Sequence, residues 1–325
     1  MFSFKKLIFQ KNSVVMTSCQ ILYLMCSVRF VRSFSSSTQK PVSGIFWNGI
    51  SSRDIAEKLS ITLQLPLSDS PFKGLQLSWN EKNQLQLICF DKSIDIGSKP
   101  FAIDFLDIKA RKRYQSASSE LLCRAMGKKE LNPTHNLIGV SNSVTSLSTN
   151  QNHSNLIWDL TAGLGRDAML LVSSGWTVHM FERNPILYEL LSDAVIRFKT
   201  ATPERADSIH LSYTNELSKS LLADISSLTS SLNPPYGVYI DPMYSPKFVG
   251  KKSKVKKDTQ VLHHILGVDE GLDEENNISL FNVAKAVARN RVVIKRPLSS
   301  PPLAGAVPHH SLKGSSQRFD VYFRK

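Results

Sequence analysis

The chain has 325 residues, 42% of them hydrophobic and 21% charged, and its formal net charge is +13. These values are typical of a core-forming globular protein and exclude a disordered chain. Four scattered cysteines without a C-x-x-C pair indicate neither a disulfide framework nor a zinc site, and no apolar run is long enough to span a bilayer.

The first part of the chain differs from the rest in charge. Residues 1–53 contain seven Lys or Arg but no Asp or Glu, and serines cluster at 33–37. This composition predicts that residues 1–40 are an organelle transit peptide, mitochondrial in our interpretation, with a plastid as the alternative. A secretory signal fits less well, because the apolar run Ile21–Val28 is short and no small-residue cleavage site follows closely.

Residues 41–131 are predicted to form a small α+β domain. Leu75–Trp79 and Gln84–Ile88 alternate in polarity around a polar turn, which predicts a hairpin, and Ala102–Phe105 is a candidate third strand. The apolar spacing of Ile55–Leu63 predicts a helix.

The end of this domain is strongly basic, with the segment K-A-R-K-R-Y followed by a predicted helix, Ser118–Met126. Cations beside an aromatic ring suit the phosphates and an unstacked base of RNA, although a solvated basic face is equally consistent with this segment alone. The residues assigned to RNA here are Lys109, Arg111, Lys112 and Arg113. Residues 132–155 are rich in Asn, Ser and Thr and are predicted to connect to a second domain.

The second domain, residues 156–325, opens with a strand-like run, Leu156–Leu160, then Gly163 and Gly165, then an amphipathic segment, Arg166–Ser174. This order of strand, glycine turn and helix can build a nucleotide pocket. Glycines permit positive φ and close approach of a ligand, and the start of a helix presents unpaired N–H groups. Two glycines alone, however, favour an ordinary tight turn.

Strands and helices then alternate along the chain. The predicted strands are 177–182, 208–212, 236–241 and 291–295, and the predicted helices are 186–198, 216–228 and 278–288. This alternation predicts an α/β fold with a doubly wound, mostly parallel sheet covered by helices on both faces. His309–Lys313 and Arg318–Phe323 flank a turn, which predicts a final antiparallel hairpin.

In such a sheet the ligand binds beyond the carboxyl ends of the strands. The residues there are Asp159 to Gly165, Glu182, Ser212, Tyr213 and Asp241. Glu182 lies 17 residues after Gly165, close to where an acidic residue accepts hydrogen bonds from ribose hydroxyls. NAD and S-adenosylmethionine both fit so far, because Gly163–Ala168 satisfies the G-x-G-x-x-A dinucleotide pattern.

Two features favour S-adenosylmethionine. Asp159 lies four residues before Gly163, which gives D-x-x-x-G-x-G and a longer loop. The segment Asp241-Pro242-Met243-Tyr244 resembles the D/N-P-P-Y/F tetrapeptide of S-adenosylmethionine-dependent methyltransferases that modify an exocyclic amine of a base. Such an amine is a poor nucleophile and needs acceptors for its N–H hydrogens. The Asp241 carboxylate and a carbonyl of the Pro242-Met243 turn could supply these acceptors, while Tyr244 offers a stacking face.

A second tetrapeptide, Asn233-Pro234-Pro235-Tyr236, matches the usual pattern better but precedes its strand instead of following it. A strand of five residues would place it about 17 Å away, at the wrong end of the sheet. We therefore interpret it as a turn.

A lysine-rich run follows Tyr244, where an RNA backbone would have to pass the catalytic edge. The further residues assigned to RNA are Lys247, Lys251, Lys252, Lys254, Lys256, Lys257, Lys295 and Arg296. The His263-His264 and His309-His310 pairs lack suitably spaced metal-ligand partners, so no metal site is predicted.

Several segments resemble, in order and spacing, the RsmJ-type methyltransferases of bacterial small-subunit ribosomal RNA, which make N2-methylguanosine. These segments are W-D-L-T-A-G-L-G-R-D-A, F-E-R-N-P, I-H-L-S, V-Y-I-D-P-M-Y, R-V-V-I-K-R-P and K-G-x-x-x-R-F-D-V-Y, within residues 100–325. The resemblance implies a class I methyltransferase fold, S-adenosylmethionine as cofactor and small-subunit ribosomal RNA as partner. It also implies cofactor contacts from Arg166, Asp167, Glu182, Arg183, Ser212, Tyr213 and Asp241.

The chain departs from that family in the connection 132–155, which is expected to be an insertion, and at two shorter places. Tyr244 stands where Phe is usual, and Gln115–Ser119 replaces a glycine-rich run after the basic segment. Three other functions stay open: a non-catalytic RNA-binding assembly factor, a methyltransferase of another RNA, and an NAD-dependent oxidoreductase. The intact Asp241 and Glu182 argue against the first, and the last would leave Asp241-Pro242-Met243-Tyr244 unexplained.

Overall fold

The structure is a computed structural model that describes residues 42–90, 100–127, 155–214, 234–242, 265 and 274–324. These residues belong to one compact unit, Pro41–Lys325, in which they form a four-stranded and a seven-stranded sheet. None of the described helices is long and apolar enough to cross a membrane. The predicted transit peptide, the predicted helix 216–228 and almost all of the connection 132–155 lie outside the described residues.

The smaller sheet is built from the N-terminal part of the chain. Its elements are β1 (Gly44–Phe46), α1 (Arg53–Leu63), β2 (Leu67–Ser68), β3 (Leu75–Trp79) and β4 (Leu85–Cys89). The strand order is β2-β1-β3-β4, and β3 and β4 form the predicted antiparallel hairpin. The predicted helix is also confirmed, and Ser52 caps its start by accepting the Ile55 N–H.

The predicted third strand, Ala102–Phe105, is wrong. Of the described residues here, Phe101 alone pairs with β4, through an isolated bridge to Leu87. The backbone that follows is held from a later helix, because Arg197 donates to the Ile103 carbonyl and to the Asp104 carboxylate. Side-chain anchors thus replace the hydrogen bonds that a strand neighbour would supply.

The basic segment is helical, which the sequence did not predict. α2 (Ile108–Gln115) begins at Asp107, whose carboxylate accepts two N–H groups of the first turn at 2.9 and 3.3 Å. The predicted helix 118–126 is shorter than expected, since Ala117–Ser119 form a 3-10 turn and α3 covers Leu121–Met126.

The larger sheet and its helices come from the rest of the described chain. They are β5 (Leu156–Asp159), α4 (Arg166–Ser173), β6 (Thr177–Glu182), α5 (Pro185–Ala201), β7 (Ile209–Tyr213), β8 (Gly237–Ile240), α6 (Glu274–Val287), β9 (Arg291–Pro297), β10 (His310–Lys313) and β11 (Gln317–Phe323). The strand order is β10-β11-β9-β8-β5-β6-β7. Neighbouring strands from β9 to β7 are parallel, whereas β11 is antiparallel to both β9 and β10. The predicted mostly parallel sheet with a C-terminal antiparallel hairpin is confirmed.

Successive residues of the buried strands enter different cores. Ile157 and Met180 pack with residues of α4 and α5, whereas Trp158 and Phe181 pack with residues of α6. The first of these cores also includes Leu87 of the smaller sheet. Apolar packing therefore continues from the smaller sheet to the helices beside the glycine loop.

Candidate active site

The strand-end residues predicted to meet are neighbours in the structure. In the parallel register Glu182 pairs with Tyr213, and Asp159 pairs with Tyr239. Asp241 follows immediately after β8. The carboxyl ends of these strands therefore bring three acidic side chains to one edge of the larger sheet.

The two glycines of the β5–α4 loop have different roles. Both have positive φ, 53° at Gly163 and 68° at Gly165. A Cβ at Gly165 would come within 2.8 Å of Phe105 and of Leu191, whereas a Cβ at Gly163 would meet the Thr161 carbonyl oxygen at 3.8 Å. Gly165 is thus required by packing, and Gly163 provides the open position that a ligand can approach.

Glu182 is fixed by the backbone on both sides. One carboxylate oxygen accepts the Gly163 N–H at 2.9 Å and the other accepts the Asn184 N–H at 2.8 Å. Asn184 also caps α5, which begins at Pro185, so the F-E-R-N-P segment combines a strand end, an acidic residue and a helix start. Burial raises the pKa of Glu182 to about 7, although these N–H groups oppose the shift.

Asp159 lies beneath the loop. Its side chain is 1% exposed and accepts the Thr161 N–H at 3.1 Å. Burial raises the pKa of Asp159 to about 8, and the nearby carboxyl groups of Asp167 and Asp241 contribute to the rise. Asp159 therefore helps to fix the loop conformation, and its assignment to the cofactor stays a prediction.

Lys295 links two carboxylates at this edge. Its ammonium lies 2.7 Å from Asp241 Oδ2 and 3.0 Å from Asp167 Oδ2. Tyr239 donates its hydroxyl to the same Asp167 oxygen at 2.7 Å. Ile240 pairs with Ile294 in the parallel register, so the residues that follow them, Asp241 and Lys295, lie side by side. We call Asp167, Tyr239, Asp241 and Lys295 the lysine cluster.

Charge within the lysine cluster is shared unequally. Burial raises the pKa of Asp241, and Asp167 adds to this rise while Lys295 opposes it. For Asp167, burial is outweighed by Lys295 and by the Tyr239 hydrogen bond, so its pKa is lowered. The two carboxylates likewise outweigh the effect of burial on Lys295 and raise its pKa. A charged ammonium is therefore held between an ionised Asp167 and an Asp241 with increased proton affinity.

Thr161 lies in the loop predicted to border the ligand, residues 159–165, but no role was predicted for it. Its hydroxyl oxygen accepts the Asp241 N–H at 2.7 Å and so ties the glycine loop to the end of β8. Its place between Asp159 and Gly163 was the available signal.

Pro242 follows Asp241 within the described chain, whereas Met243, Tyr244 and the lysine-rich run Lys247–Lys257 lie outside the described residues.

The remaining cofactor candidates lie at the ends of β6 and β7 and at the start of α4. Ser212 bonds to His179 at 2.7 Å, and burial lowers the pKa of this histidine to about 3, so it is neutral at physiological pH. Tyr213 packs edge-on against Tyr188, with ring centroids 5.4 Å apart. Two arginines complete the set, Arg166 exposed at the start of α4 and Arg183 half-buried after β6.

The competing tetrapeptide is at the opposite edge, as predicted. Tyr236 precedes β8, and its N–H donates to the carbonyl of Leu156, the first residue of β5. Pro235 accepts from the Arg289 N–H just before β9. The described part of this motif, 234–236, is therefore a turn at the amino ends of the strands.

The described residues that were assigned to RNA differ in exposure. Lys109, Arg111 and Lys112 are exposed on α2, and the neighbouring Arg113 forms an ion pair with Glu120 at 3.0 Å. Arg296, by contrast, is 6% exposed and donates to the Pro301 carbonyl. A buried guanidinium is not available to an RNA phosphate, so the assignment of Arg296 to RNA is corrected, and Lys295 is placed in the lysine cluster instead.

The residues at this edge fit S-adenosylmethionine better than NAD. Asp159 and Glu182 have raised pKa values, so a cation brought to this edge would favour their ionised forms. S-adenosylmethionine carries a sulfonium and an ammonium, whereas NAD would bring a negative pyrophosphate. Glu182 would hold the ribose hydroxyls, since each of its oxygens keeps further acceptor capacity, and the open position at Gly163 lies next to it. Within the described ranges, no grouped His, Cys, Asp and Glu side chains could hold a metal ion.

Comparisons with known proteins identify the family of the chain. A family model described as "Putative SAM-dependent methyltransferase" matches residues 60–324. Ribosomal RNA small subunit methyltransferase J of Saccharophagus degradans is 31% identical over 85% of this chain and 95% of its own length. The protein of the same name from Coxiella burnetii is 34% identical over 83% and 92%, respectively.

A solved structure shows the same fold. The crystal structure of a SAM-dependent methyltransferase from Neisseria gonorrhoeae aligns with a TM-score of 0.58 and 26% identity, covering 86% of this chain and 95% of that one. The expected family, fold and cofactor, S-adenosylmethionine, are confirmed. The chain belongs to the ribosomal RNA small subunit methyltransferase J family of S-adenosylmethionine-dependent methyltransferases.

Proposed function

We propose that this chain methylates the exocyclic N2 amine of a guanine in small-subunit ribosomal RNA. The observation that carries the proposal is the position of Asp241 at the end of β8, beside the glycine loop. Lys295 holds one carboxylate oxygen of Asp241 at 2.7 Å, and the Asp241 side chain is still 32% exposed. The names of the relatives support ribosomal RNA as the substrate, and the family resemblance of the sequence supports the N2 atom of guanine.

The residues of the chain activate and align the attacking amine. S-adenosylmethionine supplies an activated methyl group when it is bound. Asp241 accepts an N–H hydrogen of the amine, which returns electron density to the nitrogen. As nitrogen gains the methyl group it loses one proton, and the raised pKa of Asp241 suits this carboxylate to accept the proton and pass it to solvent. Tyr244 is proposed to stack on the base.

The RNA backbone is proposed to follow the exposed face of α2. This helix packs against α4, whose first turn carries Asp167, so its cations lie beside the active edge. Arg113 is the least available of the four because Glu120 holds it. The lysine-rich run Lys247–Lys257 remains part of the proposed RNA surface.

We expect the combined Lys109→Ala, Arg111→Ala and Lys112→Ala variant to bind small-subunit RNA more weakly and with a smaller salt dependence. Loss of three phosphate contacts should reduce the slope of log K against log salt by about 2–3. Filter binding at several salt concentrations measures this slope. The matched control replaces the exposed Lys58, Lys73 and Lys82 of the smaller-sheet region, and equal slopes in the two triple variants would remove α2 from the RNA surface.

The proposed reaction is tested by incubating residues 41–325 with methyl-labelled S-adenosylmethionine and either naked small-subunit RNA or small-subunit particles. We expect label in N2-methylguanosine after digestion to nucleosides. Label in another nucleoside would reject the N2 assignment. Cofactor and RNA binding without transfer to either substrate would instead favour an assembly factor that retains the fold.

Residues 1–40 are proposed to direct the protein to mitochondria, because this segment is basic, rich in serine and free of acidic residues. A fluorescent reporter fused after residue 40 should enter mitochondria and lose the segment. Uptake by plastids, or a reporter that remains uncleaved in the cytosol, would contradict this proposal.

A further inference from the structure

The lysine cluster contains an ammonium that the proposed reaction does not consume. We propose that Lys295 is a positioning residue, which holds Asp241 through Oδ2 and so presents the other carboxylate oxygen, Oδ1, to the amine of the base. Asp167, which accepts a hydrogen bond from Tyr239, holds Lys295 in place. The link to methyl transfer rests on the function proposed above.

The geometry restrains Asp241 at two points. Its backbone N–H donates to the Thr161 hydroxyl at 2.7 Å, and its Oδ2 accepts from Lys295 at 2.7 Å. The terminal torsion of an aspartate is broad, so a backbone restraint alone would leave the carboxylate plane free to rotate. The ammonium bond selects which oxygen faces the protein and which faces the substrate.

Lys295 is itself anchored by a further contact to Asp167, which Tyr239 holds in turn. Its ammonium also donates to Asp167 Oδ2 at 3.0 Å, and Tyr239 donates to that same oxygen at 2.7 Å. Lys295 belongs to β9, Asp167 to the first turn of α4 and Tyr239 to β8. The restraint on Asp241 is therefore built from three separate elements, which favours a fixed orientation over an adaptable surface contact.

The same ammonium preserves the acceptor character of Asp241. The described titratable groups that face Asp241 are Lys295 from β9, Asp167 from α4 and Asp159 from β5, along with Tyr239 from its own strand. With Lys295 removed, burial and the neighbouring Asp167 carboxylate would favour protonation of Asp241. A protonated carboxyl group accepts less readily from an amine N–H.

An RNA contact and a positioning role of Lys295 predict effects on different kinetic constants. An RNA contact would act on substrate affinity and on its salt dependence. A positioning role acts on the step after binding, and therefore on kcat and its pH dependence. The two ion pairs use two of the three ammonium donors, which favours the positioning role.

The test compares Lys295→Met with Lys295→Arg, and uses Lys313→Met, an exposed lysine at the end of β10, as the matched control. We expect Lys295→Met to lower kcat about 10-fold or more, to leave KM for RNA within about two-fold, and to move the acidic limb of the kcat profile to higher pH. Lys295→Arg should restore part of the rate, because it returns the charge. A raised KM for RNA with an unchanged kcat profile would overturn the proposal and return Lys295 to the RNA surface. Equal rates in the Arg and Met variants, with no shift of the pH limb, would also overturn it.

A second measurement does not depend on turnover. The carboxyl carbon of Asp241 can be titrated by NMR in cofactor-free protein labelled at aspartate, with Asp241→Asn for assignment. We expect its midpoint to move to higher pH in Lys295→Met, and an unchanged midpoint would overturn the inference while leaving the proposed function intact. If wild-type protein transfers no methyl group to RNA but the midpoint still shifts, the proposed function fails and the link between Lys295 and Asp241 stands.

Asp167→Asn gives a result of opposite sign and keeps the inference testable if Lys295→Met does not fold. It removes the neighbouring negative charge but retains Lys295, so the Asp241 midpoint should move to lower pH. A midpoint that does not move in this variant would show that Asp241 is independent of the cluster and would overturn the inference.

Discussion

Asp241→Ala will reduce methyl transfer by about 10²–10⁴-fold, the range in which a positioned acid–base group contributes. The substitution removes the acceptor for the amine hydrogens, while the Thr161 bond to the backbone N–H of residue 241 remains possible. Lys295 keeps its second partner, Asp167, so the cluster is not left with an unpaired ammonium. Single-turnover transfer of labelled methyl groups at saturating RNA measures this loss, and the thermal unfolding midpoint checks that the fold is intact.

The matched controls separate charge from position. Asp241→Asn keeps an acceptor oxygen but loses the charge, so we expect an intermediate rate. Asp207→Ala removes an exposed carboxylate just before β7, at the amino ends of the strands, and should have no effect. Turnover of Asp241→Ala equal to that of Asp207→Ala would remove Asp241 from the mechanism.

Glu182→Gln is the second substitution expected to have a large effect, and it acts on cofactor binding. Both carboxylate oxygens of Glu182 accept backbone N–H groups, from Gly163 and from Asn184. A glutamine has one oxygen and one NH2 group, so either orientation sets a donor against a donor. This clash destabilises the protein with or without cofactor by about 1–3 kcal/mol. The affinity falls because the ribose hydroxyls lose a charged acceptor, and a hydrogen bond of that kind is worth about 1.5–3 kcal/mol, or about 10–100-fold in affinity for S-adenosylmethionine.

The pH dependence of cofactor binding should change in the same variant. The pKa of Glu182 is raised from 4.5 to about 7, so its contribution to the stability of the cofactor-free protein is complete below pH 4.5 and is lost as pH rises through about 7. Hydrogen bonds from the ribose hydroxyls favour the ionised carboxylate, so the affinity for S-adenosylmethionine should rise as pH increases towards 7 and then level off.

Isothermal titration calorimetry between pH 5.5 and 8.5 measures both effects. In Glu182→Gln the part of the dependence centred near pH 7 should disappear, while Glu204→Gln, at an exposed glutamate far along the chain from the loop, should behave as wild type. An unchanged affinity in Glu182→Gln at every pH would show that Glu182 does not contact the cofactor.

Periodicity was enough to predict most of the larger sheet. Strands such as Thr177–Glu182 are short, apolar and β-branched, and the helices between them repeat with the helical period, so each element is recognisable by itself. The strand ends then identify the site, because parallel strands bring their carboxyl ends to one edge. Glu182 and Asp241 were found in this way.

Contacts between distant segments could not be predicted in this way. The stretch 102–105 has the composition of a strand. However, Arg197, more than ninety residues later, donates hydrogen bonds to the Ile103 carbonyl and to the Asp104 carboxylate. The helix α2 was missed because its residues are mainly polar and basic, and its start depends on one capping residue, Asp107.

The roles of individual charged side chains could not be predicted from the sequence either. Lys295 and Arg296 are adjacent in the sequence and were both assigned to RNA. Alternation along β9 directs Lys295 to the carboxylates and Arg296 to the opposite face, where its side chain is buried. A basic pair in a sequence gives no information about which member is exposed, since strand geometry separates the two.

The contacts between α5 and the N-terminal region can form only after α5 has been synthesised. Leu85 donates its N–H to Asp193, 108 residues later, and Arg197 of the same helix holds Asp104. Residues made first therefore lack these partners until α5 has left the ribosome, about 5–20 s later at ordinary elongation rates. During that interval the apolar face around Leu87 has no helix α5 to cover it. Exposed apolar surface of this kind is what chaperones bind and what makes a nascent chain prone to aggregate. A slower ribosome would lengthen the interval and so increase aggregation.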